Sequence, residues 1–451
     1  MKPTIAVIAF GTTAVSPIEE QNESLAQLHS IKERALACLA GLPVTTIDPF
    51  EKVITSLADA DRAVSELRRK PFDALVFFFA SWAQEEVPLS IASEFATSPK
   101  LLWGILEPPE LNSLAGVLST GTNFNRVGYR YNYSIGDFDD KVVLQKISRF
   151  ARAAAVANRL RKAKIAIIGY PPPGMMDVTY GEAELKQLGP SIIHLDIQNL
   201  LTRFEELSNT DTEKAVADMV KGVQVDPQLS QQELQNAAKM YLALRNIVST
   251  YQLDAVAARC WPELFERKLP ICPAFSKIAD EGISTSCEAD VSMAVTQMIM
   301  NWLSGTPAAS MDVGPVNYKD NTLFAFHCGS AATCLAETPQ HVRLSRHTLA
   351  GRGVEVDMEL RMGPVTLAKL AGPVGGKFTM VISKGDVVKG QFGKAPGVGH
   401  YATVRLDSPI SEFIDSFLIA SAGHHVAIAL GDIRDELISM CNILSIEVVS
   451  V

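Results

Sequence analysis

Four short segments concentrate the residue types that do chemistry. They are Arg259-Cys260-Trp261-Pro262-Glu263, Ser286-Cys287-Glu288-Ala289-Asp290, Met311-Asp312-Val313 and Gly423-His424-His425. His327, within Phe326-His327-Cys328-Gly329, adds another imidazole. Each lies where a strand-like run ends or a helical pattern begins, the edge at which α/β sheets bind ligands. Taken singly, each has an ordinary reading. Glu288 would stabilise the start of a helix through its dipole, and Asp312 would cap a turn. Trp261 would fill a core, and His327 or His424-His425 would be satisfied core or surface histidines. The neighbours Cys287-Glu288 and Cys328-Gly329 suggest a soft metal site, but their spacing does not point to zinc.

The elements that must position these residues follow from the apolar pattern. Thr4 to Phe10, Ala74 to Ala80 and Leu101 to Leu106 are apolar runs without period-two alternation. Helical stretches, Glu20 to Leu42 and Glu51 to Lys70, separate them, and a long charged helix, Asp139 to Lys162, closes the unit. Such runs make a parallel sheet covered on both faces. The pattern restarts at Lys164 to Tyr170, which ends at Pro171-Pro172-Pro173-Gly174, a sequence that continues neither helix nor ladder. Strands at Ser191 to Asp196 and Asp254 to Arg259 flank a helix over Gln231 to Tyr251. A helix from Glu288 to Leu303 would set Val291, Val295, Met298, Ile299 and Trp302 on one face. After Gly305-Thr306-Pro307, β-like segments (Thr322 to Phe326, Val354 to Arg361, Lys377 to Ser383) predict a mostly antiparallel or barrel-like region. A helix (Asp432 to Leu444) and a strand (Ile446 to Val451) end the chain. The expectation is an α/β protein with two Rossmann-like parallel-sheet domains, 1–162 and 163–306, and a β-rich C-terminal domain, 307–451. Neither first turn carries GxGxxG, so no nucleotide cofactor is expected.

Composition narrows the function classes. The 451 residues include 47% hydrophobic and 20% charged, ample for several cores and far from a disordered composition. A net charge of −9 argues against nucleic-acid and anionic-membrane partners. The longest apolar run, Ala74 to Ala80, falls far short of the roughly 20 residues needed to span a bilayer. The run after Lys2 is short, and no small-x-small cleavage site follows it, so a secretory leader is not expected. Seven cysteines without CxxC spacing fit reduced thiols in a cytoplasmic protein.

At the chemistry-bearing segments the chain resembles the L-fucose isomerase and L-arabinose isomerase superfamily, closer to the fucose-isomerase side. The matching pieces are RCWPEL from Arg259, TSCEADV from Thr285 leading toward Leu303-Ser304-Gly305, SMDVGP around Asp312, FHCG around His327, and the closing GHHVAIALGDIRDELISMCNILSIEV from Gly423. The first 160 residues match in architecture alone. The resemblance implies two Rossmann-like domains, a β-rich third domain and a divalent metal, usually manganese. It puts the paired acidic ligands on Glu288 and Asp312 and the C-terminal metal-binding histidine on His425, with His424 one alignment step away. Trp261, Arg259, His327 and His424 are then candidate substrate contacts.

Those residue types suit aldose–ketose isomerisation through an enediol, which needs a base on one step and an acid on the next. Glu288 and Asp312 would supply both, beside a cation acting as Lewis acid. Carboxylates with one imidazole suit Mn²⁺ better than thiolates would, leaving Cys260, Cys287 and Cys328 as small hydrophobes. A non-catalytic sugar-binding protein, or a metal-dependent lyase or hydrolase on the same scaffold, are the competing readings. The sugar stays open: L-fucose, D-arabinose, L-arabinose, or an anionic sugar such as a sulfonated hexose, for which Arg259, Arg130 and Arg343 are available. The resemblance also implies a homo-oligomer, a hexamer or its trimeric half, with the N-terminal domain as a substrate wall.

Overall fold

The run Ala74–Phe79 is buried at every position, as a central strand covered on both faces must be. It is one strand of the computed structural model, which describes residues 2–14, 20–390 and 398–451, without the Asn209 side chain. The chain divides into two compact units, Met1–Arg159 with Ile438–Ser445, and Leu160–Leu437 with Ile446–Val451.

In the first unit β1 (Thr4–Phe10), α1 (Gln21–Leu39), β2 (Thr45–Ile47), α2 (Leu57–Leu67), β3 (Ala74–Phe79), α3 (Glu86–Glu94), β4 (Lys100–Gly104), α4 (Ser113–Arg126), β5 (Asn132–Ile135) and α5 (Lys141–Leu160) alternate along the chain. The sheet runs β2-β1-β3-β4-β5, with every pairing parallel. The sequence pattern had not marked α4 and β5. The first is only modestly amphipathic and the second is four mostly polar residues, NYSI.

The second unit opens with β6 (Lys164–Ile168), α6 (Glu182–Leu188), β7 (Ser191–Leu195), α7 (Ile197–Glu206), α8 (Asn209–Val220), β8 (Gln224–Val225), α9 (Gln231–Tyr251), β9 (Ala255–Ala258), α10 (Glu263–Glu266), α11 (Cys272–Asp280), β10 (Ser284–Cys287) and α12 (Val291–Ser304). A second parallel sheet runs β10-β9-β6-β7. The capping box Ser230/Glu233 starts α9 at the expected residue.

The expected helix from Glu288 is corrected at its start. Asp290 caps it, accepting the Met293 N–H at 2.8 Å, so Glu288 and Ala289 precede the helix. Both take left-handed backbone, at φ 60° and 55°, uncommon for residues with a Cβ. The strand before them, β10, reads STSC and is too polar to announce itself. Nor does α12 show a single apolar face. Val291 to Asn301 are all buried, and it packs against β10 on one side and the β-rich sheet on the other. Gly305, at φ 78°, ends it.

The β-rich part comprises β11 (Ala309–Asn317), β12 (Thr322–His327), β13 (Arg343–Arg346), β14 (Val354–Glu359), β15 (Gly363–Val374), β16 (Lys377–Val388), β17 (His400–Leu406), α13 (Ile410–Ala420), β18 (His425–Leu430), α14 (Arg434–Leu444) and β19 (Glu447–Ser450). The strands join β8 in one mixed sheet, ordered β19-β16-β15-β18-β11-β12-β17-β14-β13-β8. Because β16 also pairs with β17, hydrogen-bonded neighbours return on themselves through six strands. The helix-capped parallel sheet and this mixed sheet lie in the same unit.

Candidate active site

Three adjacent strands carry the core of the site. Asp312 on β11 sits opposite His425, the first residue of β18, and on its other side opposite Phe326, the residue before His327. From the parallel sheet, the turn after β10 brings in Glu288. His425 Nε2 lies 3.0 Å from Glu288 Oε2 and 3.4 Å from Asp312 Oδ1. His424 Nε2 is 3.8 Å from the same Glu288 oxygen and 4.0 Å from Asp312 Oδ1, and His327 Nε2 is 3.9 Å from Asp312 Oδ1. The structure thus gathers Glu288, Asp312, His425, His424 and His327 around one point.

Strand alternation would let only one of His424 and His425 face that point. Both do. β18 begins at His425, so His424 lies in the preceding loop, where alternation has no hold. The two rings stand 4.1 Å apart, centre to centre. Each is aimed by a carboxylate on its far nitrogen. His425 Nδ1 is 2.9 Å from Asp290 Oδ2, and His424 Nδ1 is 2.6 Å from Asp177 Oδ2. A carboxylate can only accept, so Nδ1 donates in each neutral ring and leaves the Nε2 lone pair free for a metal. Gly423 makes the Asp177 contact possible, because a Cβ there would lie 2.9 Å from Asp177 Oδ2. His327 is held the other way round. Its Nδ1 accepts the Cys328 N–H at 2.8 Å, so the neutral ring carries its proton on Nε2 and offers a donor toward Asp312.

Charge is balanced behind the site. Asp290 and Lys369 are both buried, and Lys369 Nζ bonds Asp290 Oδ2 at 2.7 Å. Burial pushes the Asp290 carboxyl up, but Lys369 and His425 outweigh it and hold it far below the usual carboxylate range. Burial likewise opposes ionisation of Glu288, yet the contact with His425 and the nearby histidines keep it below its ordinary value. For His425 burial lowers the pKa, while Asp290 and Glu288 raise it to about 9. Asp290 closes the segment 286–290 without a role of its own in the sequence, and Lys369 and Asp177 lie outside all the chemistry-bearing segments. The one available signal was a lone lysine inside the apolar strand LAKLAG.

The donor set fits a divalent cation. Glu288 Oε2 and His425 Nε2 are both buried and, despite their 3.0 Å separation, neither makes an aligned hydrogen bond. A divalent cation held by Glu288, His425 and Asp312 would satisfy both. Glu288 with His424 and His425, and Asp312 with His327 and His425, form two groups whose ligand atoms lie within 4.8 Å of one another.

Arg259 and Trp261 stand apart from this cluster. Cys287 pairs with Ala258, so Arg259 lies one ladder step from Glu288 on the same carboxyl edge. Its guanidinium bonds Glu263, and its buried Nε has no hydrogen-bond partner. Trp261 is 39% exposed, which removes it from the core. Of the other arginines, Arg343 pairs with Asp226, and Arg130 is an exposed residue of the first unit.

The site sets a carboxylate–imidazole cluster where the carboxyl edge of the parallel sheet meets three strands of the mixed sheet, the kind of edge at which α/β enzymes bind their ligands. The chain is similar to sulfoquinovose isomerases along most of its length. It is 24% identical over 444 residues to those of Priestia aryabhattai and Priestia megaterium, covering 97% of this chain and 98% of each relative. With that of a Clostridium species it shares 26% identity over 366 residues, 77% of this chain and 80% of the relative. No family model matches. The likeness is to aldose–ketose isomerases, intramolecular oxidoreductases acting on a sugar.

Proposed function

We propose that this protein is a divalent-metal-dependent aldose–ketose isomerase acting on a free sugar through an enediol. The observation that carries the reading is the convergence of Glu288, Asp312 and His425, the last aimed by Asp290. Glu288, Asp312 and His425 would hold the cation, with Mn²⁺ suited to two carboxylates and an imidazole. When bound, it supplies Lewis acidity toward the sugar's two reacting oxygens and charge that offsets the enediolate.

The protein's own groups move the protons. Glu288, held ionised, takes the proton from C2 as that C–H bond breaks. That proton passes from Glu288 to Asp312, which delivers it to C1 as the new C–H bond forms, while the hydroxyl proton moves from O2 to O1. Both carboxylates are left ionised, as they began. The buried His327 Nε2–H and, at the rim, the half-exposed His424 bind sugar hydroxyls.

Among the open sugars, the full-length likeness favours a sulfonated hexose, with Arg259 the cation on the same edge as Glu288. The enzyme works in the cytoplasm as a homo-oligomer, a hexamer or trimer. Among the described residues no helix is long and apolar enough to cross a membrane. Assay of sulfoquinovose, D-glucose, L-fucose and both arabinoses with Mn²⁺ and with EDTA tests the reading. The expected result is ketose formation from the sulfonated sugar that EDTA abolishes. No turnover of any aldose with Mn²⁺ present would overturn it.

A further inference from the structure

Behind the first cluster lies a second, built around thiols. We propose that Cys272, Cys328 and His347 bind one thiophilic divalent cation of the zinc class, at a site separate from Glu288, Asp312 and His425.

The three residues come from different elements: Cys272 opens α11, Cys328 follows β12, and His347 follows β13. All are buried, and their ligand atoms lie within 4.8 Å of one another. Cys272 Sγ and Cys328 Sγ are 3.9 Å apart. Two thiolates on a tetrahedral zinc, with Zn–S of about 2.3 Å, stand about 3.8 Å apart.

His347 supplies an independent observation. It is fully buried, yet its Nε2 has no hydrogen-bond partner. Its Nδ1 accepts the Ala350 N–H at 3.2 Å and lies 3.7 Å from Glu355 Oε2. With Nδ1 accepting from Ala350, the neutral ring carries its proton on Nε2. Ligation through Nε2 would require that proton to move to Nδ1, exchanging the Ala350 bond for one to the buried Glu355. A carboxylate thus lies near the far side of the ring, looser than the 2.9 Å contact of Asp290 with His425. Burial pushes His347 down to about 4, so the ring is in the neutral form that ligates. Cys287, whose thiol contacts that of Cys328, is a fourth donor at hand.

Packing of thiols as small hydrophobes accounts for buried cysteines. It does not account for a fully buried imidazole nitrogen left without a hydrogen bond in a ring that groups with two buried thiols. The separation of the ligands along the chain explains why no spacing motif announced them. Cys328 adjoins His327 in the chain and Cys287 adjoins Glu288, so filling the site would also stiffen two segments that carry sugar-site groups.

The test uses metal-free full-length protein carrying Cys334→Ser, which removes an exposed thiol. Titration with Cd²⁺ is followed by thiolate-to-cadmium charge-transfer absorption, and Zn²⁺ is measured by equilibrium dialysis. One Cd²⁺ per chain should saturate the band, and Zn²⁺ should displace it. Binding should weaken at least tenfold in Cys272→Ala, a near-isosteric change, and in His347→Gln. The band should persist in Glu288→Gln, which disables the other cluster, so this outcome is independent of whether the protein isomerises sugars. No thiolate band, or one unchanged in Cys272→Ala and His347→Gln, would overturn the proposal.

Discussion

His425 Nδ1 rests 2.9 Å from Asp290 Oδ2, and both side chains are essentially sealed from solvent. Asp290 does three things at once: it caps α12, bonds Lys369 and aims the His425 ring. Helix start, buried charge pair and candidate metal ligand are therefore a single unit.

Asp290→Asn should weaken Mn²⁺ binding by roughly 10–100-fold, the usual effect of losing the partner behind a ligating imidazole. It also strips Lys369 of its counter-charge, and breaking a buried pair costs about 3–5 kcal/mol. Calorimetric metal titration and urea unfolding measure the two effects. Wild-type affinity in the variant would remove Asp290 from the site.

Glu288→Gln and Asp312→Asn should each abolish isomerisation with circular dichroism unchanged. Both changes are isosteric and neither residue caps a helix. Either variant turning over near the wild-type rate would exclude that carboxylate from proton transfer.

His425→Ala should lose Mn²⁺ and activity, whereas His424→Ala should keep its metal and change turnover at most. The ground is burial: His425 is enclosed by Glu288, Asp290 and Asp312, while His424 is 40% exposed and belongs to the loop. Metal analysis of both purified variants decides this, and the reverse pattern would assign the ligand to His424.

The pH dependence follows from His425, raised from an ordinary 6.5 to about 9 in the metal-free protein. A raised folded-state pKa means a stabilising contribution that is full below about 6.5 and lost as pH rises through 9. Metal and proton compete for the same ring, so Mn²⁺ affinity should climb about tenfold per pH unit up to roughly 9. Near pH 7, binding should release about one proton per metal. An unperturbed histidine would place this rise near pH 6; the structure moves it upward because two carboxylates face the ring. Affinity that is flat between pH 7 and 8 would contradict the assignment.

The sequence by itself pointed to the parallel sheets, because apolar runs such as Ala74–Phe79 and 165–168, set between helical stretches, bury both faces most readily between helices. It also determined α9, whose Ser230/Glu233 box is a local signal. Glu288, Asp312 and His425 could be named together only through the family resemblance of the segments that hold them, and the structure draws them together. Tertiary structure alone decided the rest. Asp290, rather than Glu288, begins α12, and that choice depends on what His425 and Lys369 bring from other strands. Both His424 and His425 face the site because β18 starts one residue later than alternation would need. Lys369, Asp177 and the Cys272–Cys328–His347 group owe their roles to partners many residues away. Their energies come from burial and charge pairing, which no local pattern encodes.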